Sequence, residues 1–513
     1  MNAESVASVE PTISRTPDEP SVSLAARLSP HRSDIITIVL LGLLVVVTRW
    51  PFQTQYLFSW DAANFALGMR DFDVAIHQPH PPGYAYVVLL GVLLQAIFRD
   101  ANTALVIQSI LFEVISVGAI YLFGKTLFSV RAGIVAGLLL AASVTFWSHG
   151  EIALSYPSLA AFSTLTAYFA YQTAFLGRDR LLWCAGSYVI ATGFRPDLAI
   201  FLLPLVAIAC RHQPPRRILV AAGIAVGGVL LWVIPTALLS GGLGNYWAAV
   251  TTYFTDDVVD RYAPTALGHE GLYVNVRDTA AYLFYALYAE ALIVVSGGLL
   301  LLWSLKRHAR EDTLRQCLFL LAWASPMLLF YLFLHIGNPG YIFSVLPAVL
   351  LLAVMGWYER LRNADEQTSV LAGCGLALVL MANAFIFFLH DRPLTLQGLQ
   401  RNDRSIAAKV SYIASLNPAE VMVFTYDSYK QLEYYLPNVQ NNIWLDTADH
   451  LPLQARVPDG VKWALFMDPS VFFLVQGLRA EAEVLADDSF AARLPVRTGQ
   501  TITYTGSRIE VSP

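Results

Sequence analysis

Residues 59–84, SWDAANFALGMRDFDVAIHQPHPPGY, form the longest polar interruption in the early, apolar-rich part of the chain. A helix predicted from about Asp61 puts Phe65, Met69, Phe72 and Ile76 at i, i+4, i+7 and i+11, a single apolar stripe. Asp61, Asn64, Gly68 and Asp71 then share a second, polar face. A helix with one face of each kind, lying between membrane segments, is expected to rest at the bilayer interface with its carboxylates toward water. The stretch closes on His77, His80 and Pro81-Pro82-Gly83, where the prolines remove backbone donors and stop the helix.

Working outward, the 513 residues are 56% hydrophobic and only 14% charged, with a mean hydropathy of +0.53. A soluble chain needs a more charged surface, so the composition reads as an α-helical polytopic membrane protein. The net charge of -5 comes without a basic patch, which excludes nucleic-acid binding as an expectation. Cys184, Cys210, Cys317 and Cys374 lie in apolar runs without metal-ligand spacing and read as packing residues.

Residues 1–33 are rich in Ser, Pro and charge and are expected to form a disordered tail. Ile35–Phe52 is an apolar anchor with no cleavage site behind it. Further runs able to cross ~30 Å of hydrocarbon fall near 102–123, 131–147, 154–176, 181–193, 197–210, 218–240, 280–303, 315–334, 341–356 and 368–390, about eleven spans with the first. Residues 82–98 are also apolar. If they do not span, Lys125, Arg131, Arg178, Arg180, Arg211, Arg216, Arg217, Lys306, Arg307, Arg310, Arg315, Arg360 and Arg362 share the inner loops. Arg70, Arg99, Arg195, Arg261 and Arg277 are left outside. The positive-inside bias therefore makes residues 82–98 re-entrant or interfacial, the N-terminus cytoplasmic and the segment after Asp391 extracytoplasmic.

Residues 34–390 thus form a transmembrane domain whose first outer loop is 53–101, and 391–513 form a second domain. Val421–Asp427, Ile443–Asp446 and Trp463–Asp468 read as strands and Tyr429–Leu436 as a helix, a small α/β domain without a nucleotide-binding glycine motif. The outer face collects Asp61, Asn64, Asp71, Asp73, His77 and His80 from the first loop, then His149, Glu151 and Tyr156. It also gathers Arg195 at a Pro196 helix break, Asp256, Arg261 and Arg277 from the loop after Gly241, and His335 and Tyr341 late in the chain.

Three segments carry a resemblance. An acid just after the first membrane helix with HPPGY opening an apolar run, GKTLFSVRAG after the next helix, and GYIFSVLPAVLLLA near residue 340 are similar to the GT-C glycosyltransferases. The nearer branches are the protein O-mannosyltransferases and the aminoarabinose transferase-like group. Two departures stand out: Asp61 is followed by Ala62 rather than a second acid, and Asn102 and Gln108 occupy the region where an Arg is often found.

The resemblance implies transfer of a sugar from a polyprenyl-phosphate carrier to an extracytoplasmic acceptor, a glycolipid, polysaccharide or protein, with inversion. Asp61 matches the family's catalytic acid and would be the general base; its structural alternative is a helix N-cap. Arg195 would grip the leaving phosphate, or snorkel from a helix end. Asn64, Asp71, Asp73, His77, His80, Glu151, Arg261 and Tyr341 complete the candidate substrate-binding set. No metal ligand set is spaced for a site, although His77 and His80 sharing a divalent cation with Asp61 is a second reading. Two acids inside apolar runs, Glu113 and Glu290, need partners to be buried there. The rival class is a transporter or flippase of lipid-linked glycans, which would show broken helices and polar groups at mid-membrane. The expected setting is the bacterial inner membrane.

Overall fold

The computed structural model describes residues 24–512, apart from 261–262, 309, 446–451, 469–474, 476–477, 479 and 487–488. Helix α1, Leu24–Arg49, begins within the stretch expected as a tail. It turns Leu41 and Val45 inward and leaves Ile35, Ile36, Val39, Leu40, Leu43 and Val47 exposed. A helix apolar on every side with one narrow packed stripe belongs in lipid. Among the described residues six helices are long and apolar enough to cross a membrane, and the chain is an integral membrane protein.

The short helix α2 is Trp60–Gly68 and α3 is Ala85–Phe98. Then comes α4, Ala101–Leu127, whose N-cap Asp100 accepts from the Thr103 amide. α1 and α4 run antiparallel: at one end Lys125 and Tyr121 hold Asp34, and at the other Asn102 donates to the Thr54 carbonyl. α4 is the most enclosed of the long apolar helices. It packs on α1, α3, α5 (Val130–Ala142) and α7 (Pro157–Phe175). Between α5 and α7, the expected single run 131–147 is divided at Ser143, where the short α6, Val144–His149, begins.

Glu113 of α4 lies at the core of this bundle, paired with Arg49 of α1 at 2.8 Å. Arg49 also donates to the Ala141 carbonyl and lies over the Trp147 ring. The pairing required of an acid in an apolar run is therefore present. Glu290 is fully buried in the turn after the helix that ends at Leu287, where Asn383 fastens the Leu287 and Ala142 carbonyls.

α3 covers most of residues 82–98. Its 14 residues rise ~21 Å, short of a span. Tyr84 at its start faces Arg195, while its end leads through Asp100 to Asn102 on Thr54. Leu89, Leu93 and Ile97 are left exposed on its free side.

Helices α8 (Leu181–Phe194), α9 (Leu198–Phe201) and α10 (Leu203–Cys210) are broken at Arg195 and Leu202. α11 (Pro215–Leu239) is peripheral, followed by α12 (Leu243–Tyr253) and a π-helical stretch Phe254–Asp260. α13 (Pro264–Leu287), α14 (Ala291–His308), α15 (Glu311–Phe333), α16 (Leu346–Leu361) and α17 (Glu366–Leu389) complete the membrane part. α14 and α16 cross closely because Gly297 and Gly356 face one another and leave no room for a Cβ.

The C-terminal domain begins with α18, Leu396–Ala414. Its five-stranded sheet has the order β2-β1-β4-β6-β5, and a three-stranded sheet has β3-β7-β8. β1 (Val421–Thr425) is parallel to β2 (Asn442–Trp444) and β4 (Trp463–Phe466). α19, Tyr429–Tyr435, joins β1 to β2. These segments match the expected strand-helix-strand alternation; the last residue of the expected strand 443–446 lies outside the described residues. β3 (Leu453–Arg456), β5 (Glu481–Ala486), β6 (Ser489–Pro495), β7 (Thr501–Tyr504) and β8 (Ile509–Ser512) are additions. β6 is antiparallel to β4, so the sheet is mixed.

The first loop departs from its expected form. α2 ends at Gly68, and the stripe through Phe72 and Ile76 does not form. Gly68 lies against Pro79, with space for no side chain, and the chain folds back through a bridge between Asp73 and Gln78. Residues 62–68 are all buried, because α19 of the C-terminal domain packs on α2 together with α3 and α4. With these neighbours around it, α2 is a core helix and not an interfacial one.

Candidate active site

The site assembles on the face that carries the C-terminal domain. Asp61 sits in the first turn of α2, but the cap position is Ser59, so Asp61 is not the N-cap. Its carboxylate is one-third exposed, and Oδ1 stands 3.7 Å from Nδ1 of the buried His80. Burial holds the imidazole of His80 below its ordinary pKa, against the pull of Asp61, and Arg195 adds to the lowering. His77 is lowered to about 4 by burial, then by His80 and by Lys430 of α19. Both rings are therefore neutral near pH 7.

Arg195 ends α8 in an extended conformation before Pro196, as the sequence suggested. The guanidinium is buried and held by Asp197 through two contacts, 3.0 and 3.3 Å. Tyr156 and Tyr341 lie 5.0 Å from it and Tyr84 5.3 Å, ring faces toward the cation. Burial raises the pKa of all three phenols, with Arg195 opposing. They stay protonated and can donate. The same three rings also feel the field of the Asp61 carboxylate, which opposes that of Arg195. A buried cation ringed by hydroxyl donors suits an anion whose charge is exposed on one side.

Local chemistry positions each ring. Gly83 has φ +112, a region open to glycine, and brings Tyr84 into the left-handed region at the start of α3. Asn338 caps the turn at the Gly340 amide, and a side chain at Gly340 would strike the Tyr156 ring. Tyr331 fixes the same turn by donating to the Tyr341 carbonyl.

The remaining predicted residues are dispersed. Asn64 is fully buried; in the amide orientation that satisfies both ends it donates to the His77 carbonyl and accepts from the Trp60 indole, both at 3.0 Å. It braces the loop. Asp73 caps the 74–76 turn by accepting from the Ala75 amide, and Asp71 is exposed. Glu151 is buried in the Arg49–Glu113 network, where burial pushes its carboxyl up and Trp147 donates to it. Its electrostatic neighbours are Arg49 and Glu113 rather than Arg195. Arg261 lies outside the described residues. Among the described residues no three His, Cys, Asp or Glu form a metal-holding group, so the geometry adds nothing to a shared cation at His77 and His80.

Tyr84, Asp197 and Lys430 were missed by sequence reasoning. Tyr84 closes the HPPGY motif and Asp197 follows Arg195-Pro196, so proximity to a flagged residue was the available signal. Lys430 carried none, because only the folding of α19 onto α2 brings it to His77. Beside His77, a surface cavity of about 340 Å³ opens along α12, lined by Asn245, Thr252 and Tyr253 among others.

Comparison with known proteins agrees with this architecture. The sequence profile of the family described as dolichyl-phosphate-mannose-protein mannosyltransferase matches residues 79–239. Among solved structures, ArnT from Cupriavidus metallidurans in the apo state superposes with a TM-score of 0.56 at 13% identity, over 91% of this chain and 98% of that one. The same protein bound to undecaprenyl phosphate gives 0.52, again at 13% identity with 91% and 98% coverage. A comparison with curated protein sequences gives no match. The chain has the fold of the GT-C glycosyltransferases, and the resemblance first read from HPPGY is borne out.

Proposed function

We propose that this protein moves a sugar from a polyprenyl-phosphate carrier to an extracytoplasmic acceptor, at the outer leaflet of a bacterial inner membrane. The observation that carries the reading is a partly exposed carboxylate, Asp61, beside the buried His80 and acting on the same three phenols, Tyr84, Tyr156 and Tyr341, that ring the buried Arg195. ArnT, similar in fold, has been captured with undecaprenyl phosphate, which supports a lipid-linked donor.

In this reading the acceptor hydroxyl attacks C1 as the bond from C1 to the phosphate oxygen breaks. Asp61 takes the acceptor proton, and the electron pair leaves with the phosphate, held by Arg195 and the phenols. A single displacement inverts C1. His80, neutral beside Asp61, leaves the carboxylate uncompensated. The N-terminus lies in the cytoplasm, in line with the basic loops on that side. The rival transporter reading is less favoured because most of the candidate residues fall in the polar loops between apolar runs of the sequence rather than inside those runs.

The test uses purified full-length protein with a panel of radiolabelled undecaprenyl-phosphate sugars and a bacterial envelope extract. Release of undecaprenyl phosphate together with labelled acceptor supports a transferase. Movement of intact donor between leaflets of proteoliposomes, with no cleavage of its glycosidic bond, overturns it.

A further inference from the structure

The carboxyl edge of the C-terminal domain's parallel strands lies against the start of α2, where Tyr429 and Trp444 meet Trp60 beside Asp61. β1 has β2 on one side and β4 on the other, all parallel. From the carboxyl end of β1 the chain leaves through α19 toward β2; β4 leads toward β6 and β5 on the far side. Between β1 and β4 the connections diverge, and open α/β sheets bind ligands outside the carboxyl ends of their strands at such a switch point.

That point is built rigidly. Asp468, after β4, is buried and accepts from Lys409 at 2.6 Å, Ser428 at 2.9 Å and the Tyr426 amide at 2.6 Å. The knot leaves the neighbouring Asp427 exposed. Tyr429 follows it, and Trp444 ends the adjacent β2.

Those two rings meet Trp60 of α2. Trp60 lies 5.0 Å from Trp444 and 5.7 Å from Tyr429, and the Tyr429 and Trp444 rings are 6.4 Å apart and tilted by only 30°. Trp60 is the residue before Asp61, and its indole N–H is spent on Asn64, which fixes the ring. Mere adhesion between domains would bury these rings, yet Trp444 keeps 40% of its surface exposed. The domains are already joined without it. Tyr435 accepts from the Leu57 amide, Asp403 takes the amides of Gln55 and Tyr56, and Arg70 lies 3.7 Å over Tyr434.

We propose that Trp60, Tyr429 and Trp444 form a stacking platform for a saccharide acceptor, bound at the carboxyl edge of the C-terminal domain and presented to Asp61. Aromatic faces match the flat C–H faces of sugar rings, and the exposed Asp427 can accept from vicinal hydroxyls. The proposal deepens the transferase reading and rests on it, since it names the acceptor class of the same site.

The test is saturation-transfer NMR on the purified full chain in detergent, probing maltotetraose, cellotetraose, mannotetraose and chitotetraose. At least one should bind the wild type saturably, with Kd at least fivefold weaker in Trp444→Ser and in Tyr429→Ser. Trp444→Phe, which keeps a flat ring, should restore most of the affinity. Gel filtration and melting establish that each variant is folded. Absence of binding by every tetrasaccharide, or equal binding by the folded Ser variants, overturns the platform; binding only of a peptide or lipid acceptor does the same. Undecaprenyl-phosphate release by the wild type, measured on the same preparations, reports separately on the transferase reading.

Discussion

Glu113 and Arg49 meet at 2.8 Å with 0% and 1% of their side-chain surfaces exposed. At that distance and an effective dielectric near 20, the gross attraction is about 6 kcal/mol, most of it offset by desolvation. Removing one partner leaves the other charge buried, so Glu113→Ala should cost about 3–5 kcal/mol. Arg49 would lose its direct partner and keep the Ala141 carbonyl, Thr48, the Trp147 ring and the more distant Glu151 carboxyl. Replacing both, as Arg49→Met with Glu113→Leu, removes the orphaned charge and should recover most of the loss. The assay is unfolding in detergent at one fixed scan rate, because membrane proteins commonly unfold irreversibly. The Glu113→Ala midpoint should fall by at least roughly 3 °C, with the double variant near wild type. If Glu113→Ala melts with the wild type, or the double variant is no better than Glu113→Ala, the pair does not hold α1 to α4.

Three further outcomes are expected. His77 titrates near 4 in the fold and near 6.5 when unfolded, so the unfolded chain binds the extra proton between those values and stability falls as pH drops from about 6.5 to 4; melting at pH 7 and pH 5 should show a smaller drop for His77→Gln than for wild type. Gly340→Ala drives a methyl into the Tyr156 ring beside Arg195, and sugar transfer by folded protein should fall at least about tenfold. Arg195→Lys keeps the charge but loses the planar fork that Asp197 grips twice, so kcat should fall by about tenfold or more in steady-state transfer assays.

Class and domain order were legible because they rest on composition and period. The first anchor and the strand-helix-strand alternation of the C-terminal domain were both read from apolar runs. What failed was tertiary. The stripe through Phe65 and Ile76 was a fair helical pattern, but the close approach of Gly68 to Pro79 and the cover of α19 ended the helix early. Of the predicted site, Asp61, His77, His80, Arg195 and Tyr341 share one neighbourhood, and all but Asp61 stand at a break or beside a proline or glycine. Asp73 and Asn64 brace the loop, since a short polar side chain in a turn bonds the backbone as readily as a ligand. Glu151 joins the network of Arg49, which lies on α1 at the far end of a long stretch of sequence. Such long-range pairings leave no periodic signature.

The most direct test of the account is sugar transfer from an undecaprenyl-phosphate donor by Asp61→Asn against wild type, per folded molecule. Asn keeps the size and hydrogen-bonding shape but accepts no proton, so transfer should fall by about 10²–10⁴-fold while donor binding persists. Transfer by a folded Asp61→Asn protein at the wild-type rate would contradict the account.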